Sequence, residues 1–318
     1  MVADFAEHDL NYQSTGIYFY DQTGEKPGEL SARQDGILAS LGAGDVFILQ
    51  TPTWNSVEWE TMLMAKVSLY RDVKKVIFVH DVIPLMFASN RYLMKDWLRV
   101  YNMADVIILP TQRMADVLRK EGLKVKNIII QQMWDHPANI DWRQEVKYRP
   151  LVNFAGNPAK FGFLDQWTTD KVDLRVFAKQ PSKPLANPEH VKYAGWYNDP
   201  DLLSTLRRDG GFGLVWGTND DNLVEYMKMD CSYKLSTYLA AGLPIIVQEW
   251  NPVAALVRRK HLGLVVKTLE DAMEQVYAMT SKQYRPLASA ADQFGSLIRN
   301  GYFTKRALIE SVFEAFYN

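Results

Sequence analysis

The residues best suited to chemistry fall in one stretch, Asp230-Cys-Ser-Tyr-Lys-Leu-Ser-Thr-Tyr-Leu-Ala-Ala-Gly-Leu-Pro-Ile-Ile-Val-Gln248. A helix starting near Cys231, capped by Asp230 or Ser232, is expected to run to Ala241, stop at Gly242 and turn directly into a buried strand. Lys234 sits in its first turn, where a cation beside the positive end of the helix dipole costs about 0.3–1 kcal/mol. A bound anion reverses that balance. The backbone N–H groups around Ser232 and Tyr233, the dipole and Lys234 together suit a diphosphate. The plainer alternative is that Lys234 points into water.

Two further segments share that chemistry. In Phe154-Ala-Gly-Asn-Pro-Ala-Lys-Phe161, Gly156 lets the backbone come close to a ligand, Asn157 opens a tight turn and Lys160 can reach the same phosphates. In Tyr193-Ala-Gly-Trp-Tyr-Asn-Asp-Pro-Asp201, Trp196 or Tyr197 can stack on a base, a contact that contributes about 1–3 kcal/mol. Closing a loop is the other use for such aromatics. Asp199-Pro200-Asp201 has the look of an Asp-x-Asp metal motif. Asp199 as helix N-cap with Pro200 at the first helical position explains it better. With His and Cys unclustered as well, no metal site is expected.

Three segments of the first half fall at the C-terminal ends of expected strands: Gln50-Thr-Pro-Thr-Trp-Asn55, Val79-His-Asp-Val-Ile-Pro84 and Met133-Trp-Asp-His-Pro137. Trp54 and Trp134 offer flat apolar surfaces on which sugars stack, and Asn55 can bond hydroxyls. Asp81 or His80 can take a proton from a hydroxyl, with His136 as a further candidate base. A hydrogen-bonding role at a strand end is open to each of these residues as well.

Short β-branched runs alternating with amphipathic stretches must hold these groups in place, which is the pattern of α/β domains with mostly parallel sheets. Strands are expected at 16–20, 45–50, 73–81, 106–111 and 127–135, and again at 151, 173–178, 191–195, 212–216, 244–248 and 262–266. The polar segment from His136 to Pro150, with a proline at 137 and 150, reads as the connection between domains. The expected architecture is two Rossmann-like domains facing a cleft, residues 1–145 and 146–300, with a helix over 301–318 crossing back onto the first. The opening MVADFAEHDL reads as helix, so the first strand of the first domain is expected to be missing or supplied differently.

A chain of 318 residues is long enough for two such domains. A net charge of -1 with interspersed signs leaves no field for nucleic acid or an anionic membrane. The lone Cys231 excludes an internal disulfide and suits a reducing cytosol. No signal peptide or long apolar run is present, so a soluble cytoplasmic protein without membrane insertion is expected. There is no Gly-x-Gly-x-x-Gly after a strand, no phosphate-binding Gly-x4-Gly-Lys-Ser/Thr and no Gly-x-Ser-x-Gly elbow.

Over nearly its whole length the chain resembles the GT-B glucosyltransferases of streptococci and lactobacilli that act second in glycosylating serine-rich repeat adhesins. These add a hexose to peptide-linked N-acetylglucosamine, and related members are called galactofuranosyltransferases. The likeness rests on residues 50–55, 80–87, 133–137, 156–158, 210–216 and 231–235. It implies a GT-B fold, a UDP-sugar donor, a GlcNAc-modified glycoprotein or glycan as acceptor, no metal or other cofactor, and a homo-oligomer. It also implies UDP contacts from Lys160, Trp196 or Tyr197, and Lys234. Lys160 stands where some relatives carry arginine, which keeps the charge and gives up bidentate contact. Family members open with a strand and a loop on the acceptor side, which this sequence reads as lacking. Two other expectations therefore stand beside a hexosyltransferase of adhesins: a galactofuranosyltransferase for capsule or wall polysaccharide, and a nucleotide-sugar-binding subunit without turnover.

Overall fold

The computed structural model describes residues 1–180 and 187–317. The chain divides into two compact units, one of Val2–Gln131 with Thr304–Asn318, the other of Gln132–Phe303 with Met1. Both are built on parallel sheets.

In the first unit β1 (Val46–Thr51), β2 (Lys74–Val79), β3 (Val106–Leu109) and β4 (Asn127–Ile130) lie in sequence order, with Leu49 beside Ile77 and Ile107 beside Ile128. The runs are rich in Val and Ile because parallel strands are buried on both faces, and β3 is buried at every residue. Helices Val57–Val67, Met94–Tyr101 and Gln112–Glu121 supply the crossovers. Helix Tyr302–Tyr317 contributes its residues from Thr304 onward to this unit, where Gln131 Nε2 donates to Thr304 Oγ1 at 3.3 Å. Asn318, the end of the helix expected over 301–318, lies outside the described residues.

Two sequence expectations fail here, the first for lack of a pairing partner and the second because the backbone turns out of the sheet. The opening segment is helical, Val2–Leu10, as expected, but residues 16–20 form no strand and leave Tyr18 and Phe19 exposed. A strand exists only through ladder bonds to a neighbour, and among the described residues β2 alone pairs with β1. Strand β4 ends at Ile130 rather than Asp135, because Gln132 takes a left-handed φ of 72° and turns the chain out of the sheet.

The second unit carries β5 (Leu151–Ala155), β6 (Asp173–Phe177), β7 (Val191–Tyr193), β8 (Phe212–Val215), β9 (Ile245–Gln248) and β10 (Gly263–Val266) in the order β10-β9-β8-β5-β6-β7. All neighbours run parallel. Phe154, Leu174, Val176, Phe212 and Leu214 form the centre of its core. From β5 the chain moves outward through β6 and β7, then returns to the other side of β5 for β8. The carboxyl ends of β5 and β8 thus flank a topological switch point, where open α/β sheets bind ligands.

The boundary between units falls at Gln131–Gln132 and not in the polar stretch from His136 to Pro150. Burial decides this. Met133, Trp134, Asp135 and His136 are all buried, Ser236 Oγ donates to the Trp134 carbonyl at 2.5 Å, and the His136 N–H donates to the Ile298 carbonyl at 3.1 Å. These residues belong to the second unit although their sequence reads as the tail of the first.

Candidate functional site

Helix Tyr233–Ala240 begins two residues later than expected. Ser232 is its N-cap by position, and among the described residues no side chain caps it. Its first N–H groups are thereby left as donors. Lys234, in this first turn, does not point freely into water. It is half-buried, with its ammonium 5.2 Å from the centre of the Phe161 ring and 6.0 Å from that of Phe154. Burial, and then the charge of Lys160, lower its pKa, and no acid counters them. A partly desolvated cation with a second cation nearby is a site that gains from an anion.

The Gly156 loop lies directly against that lysine. A Cβ at Gly156 would meet Lys234 Cε at 3.0 Å and Phe154 Cζ at 2.9 Å, so glycine is what permits the approach. Asn157 caps the short helix Pro158–Lys160, its Oδ1 accepting from the Ala159 N–H at 3.0 Å. Lys160 remains exposed. Asn219, after β8, accepts from the Gly162 N–H at 2.9 Å and ties the loop across the switch point. Tyr238 supplies a further tie, its hydroxyl accepting from the Ala155 N–H at 2.8 Å. Its ring occupies the space left by Gly213, where a Cβ would fall 2.1 Å from Tyr238 Cγ. Helix Tyr233–Ala240 and the end of β5 are thus held in fixed register. Sequence reasoning passed over Asn219 and Tyr238; the spacing of Tyr238 one turn after Lys234, with Gly213 in a strand, was the signal available.

Beside this loop opens a cavity of about 1320 Å³, lined by Gly156, Asn157, Phe177, Trp196, Tyr197 and Asp199 among others. Trp196 is 79% exposed at its rim, while Tyr197 is held edge-on against Phe177 at 5.4 Å. Of the two aromatics, Trp196 has the free face for stacking. Asn198, not Asp199, caps helix Asp199–Asp209, its side chain accepting from the Asp201 N–H at 3.0 Å. The cap moves because Pro200 occupies the second helical position rather than the first. Asp199 is then free to face His136, 3.4 Å away.

The first-half candidates divide. Trp54, Asp81 and His80 do come together, around a cavity of about 810 Å³ that also touches Gln50, Pro52 and Thr53. Trp54 is 53% exposed with a φ of 62°, which turns it out of the backbone direction of its neighbours. His80 Nε2 lies 3.0 Å from Gln50 Oε1, and burial pushes the His80 pKa down to about 4. The ring is neutral at pH 7. Asn55 is buried rather than offered to hydroxyls, with its amide bonded to Thr53 Oγ1 at 3.3 Å and its Oδ1 accepting from Gln22 at 3.1 Å.

Trp134 and His136 do not join that cavity. They are 6% and 1% exposed and sit in the second unit against helix Tyr233–Ala240, so neither presents a stacking face or a solvent-facing base. Cys231 is buried 3.9 Å from Met133 Sδ, and burial raises its pKa, so it is a packing residue and not a thiolate.

Sequence reasoning also missed Glu60. Fully buried, it accepts from Thr51 Oγ1 at 2.6 Å and from the Thr53 N–H and Oγ1 at 2.6 and 2.9 Å, pinning the turn that projects Trp54. Burial raises its pKa, and those same bonds oppose the shift. Among the described residues no group of three His, Cys, Asp or Glu side chains converges as a metal site, and no helix is long and apolar enough to cross a membrane.

Residues 1–133 match the family model for the glucosyltransferase 3-like N-terminal domain, and residues 152–311 that for its C-terminal domain. The chain is 41% identical over 308 residues to glucosyltransferase 3 of Streptococcus gordonii, and 42% identical over 306 residues to that of Streptococcus parasanguinis. Each alignment covers 96% of this chain and 90% of the relative. In structure it is similar to Anabaena HepE, solved in complex with UDP, with a TM-score of 0.61, 12% identity, and coverage of 92% of this chain and 84% of that one. Two parallel-sheet domains with these neighbours make the fold GT-B. The chain is a glycosyltransferase and belongs to the glucosyltransferase 3-like family.

Proposed function

We propose that this glycosyltransferase transfers a hexose, glucose in the first instance, from a UDP-sugar to a GlcNAc-modified serine-rich repeat glycoprotein in the cytoplasm, without a metal ion. The observation that carries the donor half is the half-buried Lys234 at an uncapped helix start, touching Gly156 beside a cavity larger than the roughly 300–1,000 Å³ of ordinary small-ligand sites. Lys234, Lys160 and the first-turn N–H groups then neutralise the departing diphosphate, the work that a divalent cation does elsewhere. Trp196 stacks on the uracil. On the first unit Trp54 carries the acceptor sugar and Asp81 takes the proton from its hydroxyl, with His80 as the alternative base. The acceptor class comes from the resemblance of the chain as a whole to the adhesin-modifying enzymes.

The test is a panel of UDP-sugars incubated with and without a GlcNAc-peptide, following UDP release and peptide mass. Addition of one hexose to the peptide from UDP-glucose is expected. Turnover with UDP-galactofuranose alone would make the enzyme a galactofuranosyltransferase. Tight UDP binding with no transfer to any acceptor would make it a binding subunit.

A further inference from the structure

His136 is the most deeply buried histidine in the second unit and no step above uses it. It is 1% exposed and lies between two helix starts. On one side its ring stacks on Tyr233, the residue preceding Lys234, at 5.0 Å and 20°, and Nδ1 lies 3.3 Å from Thr237 Oγ1 one turn further along the same helix. On the other, Nε2 lies 3.4 Å from Asp199 Oδ2, the first residue of helix Asp199–Asp209. That distance is too long for a good hydrogen bond, and Nε2 has no other partner. The His136 backbone N–H is fixed separately, on the Ile298 carbonyl. Asp199 itself lines the nucleotide cavity, as do Trp196 and Tyr197 just before it.

We infer that His136 is a positioning residue of the nucleotide site, joining the helix start that carries Lys234 to the loop that carries Trp196. The inference rests on the reading of that cavity as a nucleotide site. A buried ring nitrogen 3.4 Å from a carboxylate at the cavity wall, with no other partner, needs only a small closure on nucleotide binding to bond Asp199 and so tie the 196–198 loop to the protein interior. Stacking on Tyr233 fixes the turn that directs Lys234. With the proton on Nε2, Nδ1 accepts from the Thr237 hydroxyl, whose single proton it shares with the Tyr233 carbonyl at 3.3 Å, so one tautomer serves both helices. Burial lowers the His136 pKa and Asp199 opposes this, which keeps the ring neutral near pH 7. A neutral donor holds the loop without placing a third cation beside Lys234 and Lys160.

Isothermal calorimetry with UDP tests this on wild type, His136→Phe, His136→Gln, Asp199→Ala and the His136→Phe/Asp199→Ala double variant. Phenylalanine keeps the stacking and loses the donor, so affinity should fall about tenfold. Glutamine places an amide N–H near the Nε2 position and should hold affinity within about threefold. Asp199→Ala discriminates most sharply. Removing an acid near a diphosphate should tighten binding if charge alone matters, whereas loss of positioning weakens it by about tenfold. The double variant should be no weaker than either single one, because both remove the same tie. The inference is overturned if Asp199→Ala binds UDP as tightly as wild type or more so, if glutamine fails to rescue, or if the two losses multiply. Asp199 is 68% exposed, so its variant reports even if the buried phenylalanine variant does not fold. A wild type that binds no UDP would remove the functional reading itself; binding by wild type with unaffected variants would remove this inference alone.

Discussion

At the scale of single residues, burial sets the chemistry each group can offer. Lys234 is a cation that the unliganded fold disfavours, since burial and Lys160 both lower its pKa. Lys234→Ala should therefore weaken UDP binding by about 2 kcal/mol, roughly thirtyfold, when read by calorimetry. The thermal midpoint without ligand should not fall, because the lost group was itself penalised by folding. Unchanged UDP affinity would remove the main support for the donor site. His80 yields a pH prediction. Burial holds its pKa in the folded protein at about 4 against the ordinary 6.5, so across that window the folded protein binds fewer protons than the unfolded one. Stability contributed by this group is present above about pH 6.5 and is lost as the pH falls toward 4. His80→Gln should shrink the difference in urea stability between the two ends of that window by roughly 1–3 kcal/mol, the ring being only partly buried. An unaltered acid limb would show that the ring is as free as in the unfolded chain.

At the scale of elements, the helix bearing Lys234 is held from behind by close backbone packing. Helix Ser281–Arg299 crosses it at Gly295, where a Cβ would fall 2.0 Å from the Leu239 carbonyl oxygen. Backbone cannot yield as a side chain can. Gly295→Ala should cost about 1–3 kcal/mol of stability in urea unfolding and weaken UDP binding in the fraction that folds, because the helix start moves relative to Gly156. Wild-type stability would mean that the two helices separate without cost. The motifs on this helix were legible in the sequence because they are local: a glycine stop, a first-turn lysine and a buried strand follow one another within nineteen residues from Asp230 to Gln248. The supports were not legible, since Gly295, Asn219 and Gly213 act on residues far along the chain.

At the scale of the whole molecule, the residues proposed for donor binding and those proposed for acceptor chemistry fall in different units. Lys234, Gly156 and Trp196 lie in one, Asp81, His80 and Trp54 in the other. Asp81→Asn should leave UDP affinity unchanged and reduce transfer at least a hundredfold if Asp81 is the base. Near wild-type transfer would pass the role to His80, since His136 is buried in the other unit. If lysines and helix N–H groups carry the leaving-group charge, excess EDTA should leave transfer intact. Activity lost to EDTA and restored by Mg²⁺ or Mn²⁺ would reassign that work to a metal ion.

The sequence by itself determined the elements with strong local signals: the parallel α/β character, the helix and strand following Cys231, the turn at Gly156, and the family. It also placed Trp54, His80 and Asp81 at strand ends, where the structure gathers them around one cavity. Only the tertiary structure decided the ownership of Met133–His136, whose polar, proline-flanked sequence reads as the edge of the first domain while its side chains are buried in the second. It decided equally that residues 16–20, strand-like in composition, form no strand, and that Asn198 rather than Asp199 caps its helix. Periodicity reports whether a segment has an apolar face. Which neighbour covers that face, and whether an edge finds a partner, depend on contacts between residues a hundred or more positions apart, and those exist only once the chain has folded.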